Sequence, residues 1–173
     1  NGTPTTPVVS TAGSPIYYYI ESAANGTVTA GSGTADYRGH LMFAPGSADK
    51  TRFKHDLKAN ITSLDNALWQ LVEESGTTKL KNKGTGLYMS DSHTGFTSTS
   101  SSLIFSDLGS NQFSIRSSNN TSFSIAWNNN TMDRWSSSLG VNSQTAWYFI
   151  PATLTDLEQG IITAEFWLSS TKA

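Results

Sequence analysis

Four kinds of short run follow one another three times along this chain, at nearly fixed spacing. Alternating apolar and polar residues open each group, at Tyr18-Tyr19-Ile20, Thr78-Lys79-Leu80 and Phe123-Ser124-Ile125. A second run comes 8, 8 and 7 residues later, at Gly26-Thr27-Val28, Gly86-Leu87-Tyr88 and Asn130-Thr131-Met132. The third is a small apolar patch at Asn60-Ile61, Leu103-Ile104-Phe105 and Ser138-Leu139. An aromatic run closes each group: Leu68-Trp69-Gln70-Leu71, Gln112-Phe113-Ser114-Ile115 and Ala146-Trp147-Tyr148-Phe149. From third run to closer the offsets are 8 (Ile61 to Trp69), 9 (Ile104 to Phe113) and 8 (Leu139 to Trp147). Only the gap between second and third runs varies freely: 33 residues (Val28 to Ile61), 16 (Tyr88 to Ile104) and 7 (Met132 to Leu139). Strands reject insertions and surface loops accept them, so this is how a repeated unit behaves.

The clearest piece is 77–92. Two extended runs flank Lys83-Gly84-Thr85-Gly86, which is a hairpin signal. Three units of four strands make twelve. One unit cannot bury its apolar face alone, so three are expected to close around a shared core in an all-β domain. An ordinary β-sandwich also shows short strands and frequent turns, and is the alternative. The approximate units are 15–75, 76–118 and 119–152.

Composition narrows the function classes. Charged residues are 14% and aromatics 11%, which excludes a charge-rich disordered chain and predicts a core built largely from rings. A net charge of -2 leaves no basic face for nucleic acid, and no basic run suits an anionic membrane surface. No apolar run is long enough to span a bilayer. The absence of cysteine removes disulfides and thiolate metal sites.

The ends differ from the middle. Residues 1–14 are rich in Thr, Pro, Gly and Ser and read as a linker, with an ordered arm as the alternative. Residues 153–173 form a C-terminal extension. Ile161, Ile162, Phe166 and Trp167 favour an extended segment there, while Thr155-Asp156-Leu157-Glu158 allows a helical one.

Catalytic patterns are scarce. Gly31-Ser32-Gly33 lacks the lysine of a phosphate loop, and no Gly-x-Ser-x-Gly elbow occurs. His40, His55 and His93 share no metal-ligand spacing and read as surface residues. A carboxylate pair for glycoside hydrolysis is set by three-dimensional separation, which spacing does not show. The Asn-x-Ser/Thr triplets, at Asn60 and Asn129 among others, are what a chain so rich in these residues produces by chance. No cofactor or metal is expected, and the chain is read as a non-enzyme.

The Pro15-Ile16-Tyr17-Tyr18-Tyr19-Ile20 opening, the Leu68-Trp69-Gln70-Leu71 closer and the ending at 147–152 resemble the ricin-type β-trefoil lectin domain. The likeness is to the ricin-like trefoils attached to secreted glycan-degrading proteins of gut Bacteroidetes, and it covers about 15–152. That family closes each unit with Gln-x-Trp. Here the triplets are Ala67-Leu68-Trp69, Asn111-Gln112-Phe113 and Thr145-Ala146-Trp147, so the aromatic stands three times and the glutamine never. The resemblance implies a β-trefoil, and a non-catalytic carbohydrate-binding module, secreted or on a bacterial cell surface and tethered to other domains. A structural or protein-interaction trefoil with lost sugar sites is the alternative, and a glycoside hydrolase a third.

Sugar recognition stacks a ring's apolar face on an aromatic side chain, with Asp, Asn or Gln beside it for the hydroxyls. In a trefoil lectin each unit can hold one such pocket. The third unit offers Trp127, Asn128, Asn129, Asp133, Trp135 and Asn142; the second offers Asn82, Asp91, Phe96 and Asn111; the first offers Tyr37, with Asp65 and Asn66 before its closer. The asparagines also suit plain turns, and Trp127 and Trp135 also suit a barrel plug.

Overall fold

The computed structural model describes residues 2–25, 36–45, 53–90, 96–97, 102–118, 121–122, 124–128, 131–135, 140–153 and 155–157; at 96–97, 128, 131 and 133–135 it describes the backbone alone. The strands are β1 (Tyr18–Ser22), β2 (Leu41–Phe43), β3 (Lys54–Asp56), β4 (Leu68–Glu74), β5 (Thr77–Asn82), β6 (Tyr88–Met89), β7 (Phe96–Thr97), β8 (Leu103–Gly109), β9 (Gln112–Ser117), β10 (Ser124–Asn128), β11 (Thr131–Trp135) and β12 (Trp147–Pro151).

Two short turns set the frame. Ser75 and Gly76 link β4 to β5, and Ser110 and Asn111 link β8 to β9. All four have positive φ, of 53, 76, 55 and 58°. Two consecutive positive φ values are the I′ signature, whose twist matches that of paired strands. The third equivalent seam carries no turn: β12 pairs with β1, from Trp147↔Ser22 to Pro151↔Tyr18. Within units, first and last strands meet as well, at Tyr18↔Trp69 and Phe113↔Trp147. β5 and β8 lie side by side, without a ladder among the described residues. Six strands thus form a ring.

The other six strands are hairpins capping one end: β2–β3, β6–β7 and β10–β11. Each hangs on its unit's opening strand by one pair, Glu21↔Leu41, Lys81↔Tyr88 and Arg116↔Ser124. This threefold plan is a β-trefoil.

The ladders shift the phase expected from sequence. Leu103–Phe105 belongs to β8, which closes the second unit rather than forming its third strand. Phe113 belongs to β9, which opens the third unit. Ser124 and Ile125 begin β10, that unit's second strand, and Phe123 lies outside the described residues. In the first unit the third strand is β3, and Asn60 sits in a 3-10 turn instead. The runs at 26–28 and 138–139 lie outside the described residues.

With this phase the core falls into threes. Ile20, Leu80 and Ile115 are equivalent and buried, as are Met42, Met89 and Ile125. The closers contribute Trp69, Leu103 and Trp147. The Trp69 indole donates to the Met42 carbonyl at 3.0 Å, and Trp147 to Ile125 at 3.0 Å. Each of these bonds ties a ring strand to its own capping hairpin.

Residues 2–14 pack as an arm, the alternative to a linker. Thr5 N–H donates to the Phe149 carbonyl and Ser10 N–H to that of Leu71, each at 2.9 Å. Val9 lies against the main core.

The chain past β12 makes a helical turn at 155–157. Its start is a reciprocal cap: Asp156 N–H donates to Thr153 Oγ1, and Thr153 N–H donates to Asp156 Oδ2. Lys58 Nζ reaches Asp156 Oδ1 at 3.0 Å. The apolar stretch at 160–168 lies outside the described residues. No helix among the described residues is long and apolar enough to cross a membrane.

Burial alone would raise the Asp156 carboxyl, but the Lys58 ammonium and the Thr153 donors outweigh it and hold it below its ordinary value. Such a group stabilises the fold above the unfolded carboxyl's pKa, near 3.9. The contribution is lost as pH falls through the lower folded value. Solvent screening limits it to about 1 kcal/mol. Urea midpoints at pH 6 and pH 3 should therefore fall less in Asp156→Asn than in the parent chain.

Candidate functional site

Two capping hairpins from different units meet at one place. β3 of the first unit pairs with β11 of the third at Lys54↔Thr131, and Met132 N–H donates to the Phe53 carbonyl at 3.0 Å. A turn before β2 closes over this seam. Arg38 N–H donates to Asp36 Oδ1 and His40 N–H to the Tyr37 carbonyl, both at 3.0 Å. Gly39, at φ 89°, makes the reversal, a conformation that side chains strongly disfavour. Ser22 N–H then donates to the His40 carbonyl at 2.9 Å and anchors the turn to β1.

Tyr37 packs edge-to-face with three rings at once. Its centroid is 5.0 Å from His40, 4.7 Å from His55 and 4.5 Å from Trp127. Edge-to-face packing at such distances is favourable, because ring edges are positive and faces negative. Nδ1 of His40 lies 3.1 Å from Nδ1 of His55. Tyr37 and His40 are half-buried, and His55 is buried. Asp56 follows His55. Its carboxyl is held below the ordinary range by the Asn60 amide first; burial, the next effect, raises it, and the Leu57 N–H and the nearby imidazoles add to the lowering. The site therefore combines a half-exposed phenol, imidazoles and a fixed anion.

The sequence places Tyr37 and Trp127 in separate pockets of the first and third units. The seam between hairpins brings them into contact. Trp127 is 1% exposed, so it offers no face to a sugar; it is the floor under Tyr37. Its indole N–H is buried with no hydrogen-bond partner among the described residues. Asn128, Asp133 and Trp135 have backbones in β10 and β11, with Asp133 opposite Ala126 and Trp135 opposite Ser124. Asn129 and Asp91 lie outside the described residues. Phe96 has its backbone opposite Met89 in the second hairpin.

Asn82 is likewise no sugar contact. It is wholly buried: Nδ2 donates to the Asn66 carbonyl, and Oδ1 accepts from Thr85 N–H and Oγ1. It is a framework amide, closed off from any sugar. Asp65 receives the Lys83 ammonium at 2.7 Å.

Asn111 and Asn142 belong to a second polar group. Asn111 is exposed in the I′ turn, and Asn142 is exposed at φ 59°. Between them stands Gln112, buried, whose Oε1 accepts from Asn142 N–H at 2.6 Å. Its Nε2 donates to Asn142 Oδ1 at 2.9 Å and to Tyr148 Oη at 3.0 Å. These bonds use the Asn142 amide oxygen for framing.

His40, His55, Gln112, Tyr148 and Gln144 are the residues that motif reading missed. Gln144 is buried and donates to the Trp127 carbonyl at 2.8 Å. It stands three residues before Trp147, one place outside the Gln-x-Trp triplet. A search one residue wider finds it.

No protein-family model matches the chain, and no curated protein matches it in sequence. Solved structures do resemble it. The Rhizoctonia solani agglutinin superposes with a TM-score of 0.62 at 14% identity, covering 87% of this chain and 100% of that one. A GlcNAcα1-4Gal-releasing endo-β-galactosidase from Clostridium perfringens gives 0.60 at 15%, covering 80% of this chain and 33% of the other. The Polyporus squamosus lectin, solved with Neu5Acα2-6Galβ1-4GlcNAc, gives 0.50 at 20%, covering 77% and 48%. The chain thus spans about a third of the length of the clostridial enzyme. At these identities the likeness is one of fold.

Proposed function

We propose that this trefoil is a non-catalytic carbohydrate-binding module of ricin-like type, serving an exported glycan-processing protein. The observation that carries the reading is Tyr37. It is a half-exposed aromatic ring, fixed by three neighbouring rings, with His40 and Arg38 beside it to meet hydroxyls. A rigid ring stacks on a sugar at little entropic cost. The trefoil neighbours include an agglutinin and a lectin solved with a sialylated lactosamine epitope, which supports a glycan as partner. The clostridial enzyme, of which a third is matched, supports an accessory role inside a longer chain. We further propose Trp135 and Asp133 for a pocket in the third unit, since several weak pockets together raise avidity.

A glycan array with galactose- and N-acetylglucosamine-containing oligosaccharides, followed by calorimetry, tests this. Tyr37→Ala should weaken binding at least about tenfold, the equivalent of about 1.4 kcal/mol. Tyr37→Phe, which keeps the ring, should retain most of it. Equal binding in the parent chain and Tyr37→Ala removes the Tyr37 platform, and Trp135→Ala then tests the third-unit pocket. Absence of binding across the array favours the second reading, a structural or protein-interaction trefoil. The burial of Trp127 and Asn82, both suited to sugar contact by sequence, is what favours it.

A further inference from the structure

We infer that His40 and His55 form a two-imidazole binding site for a late first-row divalent cation. The inference does not depend on the glycan reading. A histidine ring offers one lone pair when neutral, and two Nδ1 atoms 3.1 Å apart cannot both carry protons. When both protons sit on Nε2, each Nδ1 keeps a lone pair and the two donor atoms stand 3.1 Å apart. With metal–nitrogen bonds of about 2.0–2.1 Å, the 3.1 Å separation subtends about 100° at the metal. That lies between square-planar and tetrahedral geometry, which suits Cu2+, Ni2+ and Zn2+, the divalent ions that imidazole favours.

The pair is held in place before any ion arrives. His55 stands in β3 opposite Met42 and is buried. His40 is fixed through its backbone to Tyr37 and Ser22. The Tyr37 ring packs against both imidazoles and limits their swing. Negative charge stands close by. The Asp56 carboxyl follows His55 in β3, and a Glu21 carboxylate oxygen is 3.6 Å from the point a Gly39 Cβ would occupy, one residue from His40. Both favour a cation electrostatically. His40 is half-buried and gives solvent a way in. Among the described residues no group of three His, Cys, Asp or Glu side chains completes a set, so the remaining coordination positions go to water.

Trp127 supplies the readout. Its ring centroid is 6.4 Å from that of His55, so bound Cu2+ quenches it. The chain has five tryptophans, which makes the expected quench partial. Titrating the full chain with CuCl2 at neutral pH should give a saturating loss of emission at one equivalent, reversed by EDTA and opposed by ZnCl2. His40→Gln should abolish saturation, with far-UV circular dichroism and melting temperature unchanged. His93→Gln should leave the curve as it is. A linear, non-saturating quench in the parent chain overturns the site. So does a saturating quench that survives in His40→Gln. If His55→Gln fails to fold, His40→Gln alone decides, because His40 lies at the rim.

Discussion

Trp147→Ala is expected to destabilise the domain by about 3–5 kcal/mol. Trp147 is fully buried and belongs to the main core. It also stands on two seams at once, opposite Ser22 of β1 and Phe113 of β9. Truncation opens an indole-sized cavity where the ring of strands closes on itself. It also leaves the Ile125 carbonyl without its donor. These losses separate in Trp147→Phe, which keeps most of the apolar volume and loses only the N–H; it should cost about 1–3 kcal/mol. Trp69, equivalent in position and bonded to Met42, should behave alike. Leu103 has no N–H to lose, so its truncation costs packing alone. A typical domain is stable by only about 5–15 kcal/mol, so Trp147→Ala uses much of the margin. Urea unfolding with an unchanged slope is the measurement. A loss below about 1 kcal/mol for Trp147→Ala contradicts a closed core around the three closers.

The threefold plan was legible because strand number and loop length obey different constraints. The periodic runs marked opening strands β1 and β5 and closing strands β4 and β12 directly. The phase in between slipped at Phe113, for a physical reason. Opening strands also turn a large ring inward: Phe113 occupies the position that Tyr18 holds in β1. An aromatic residue alone does not tell an opener from a closer. The turns do. Ser75-Gly76 and Ser110-Asn111 are the same I′ device, each joining one unit's closer to the next unit's opener. Asn111 is therefore explained by its backbone before any sugar is invoked.

The candidate site was less legible, because it crosses units. Tyr37 and Trp127 are far apart in sequence, and each falls within a different unit. Contact between them arises from the Lys54↔Thr131 pairing of two hairpins, which no local pattern announces. The imidazoles look like surface residues in the sequence for the same reason. His55 sits between exposed Lys54 and half-buried Asp56, and only the strand pairing shows that it turns inward.

Asn82→Ala is expected to cost about 2–3 kcal/mol, near the upper end for a buried polar group stripped of its partners. The amide is wholly buried and makes three bonds, to the Asn66 carbonyl at 2.9 Å, Thr85 N–H at 3.0 Å and Thr85 Oγ1 at 3.1 Å. The equivalent positions in the other units hold Ser22 and Ser117. Ser22 does part of the same work, its Oγ accepting from Ala24 N–H at 3.2 Å. The longer Asn side chain additionally reaches the turn before β4, and so ties the first unit to the second. Alanine at position 82 leaves Thr85 N–H partly buried without its acceptor, and loosens the Lys83-Gly84 reversal whose amides donate to Leu68 and Asp65. A serine there should recover part of the loss, by analogy with Ser22. Glycan binding separates the framework role from a contact role. A contact residue would lower affinity with the melting temperature unchanged. The framework amide should lower the melting temperature first, with affinity intact wherever the protein remains folded.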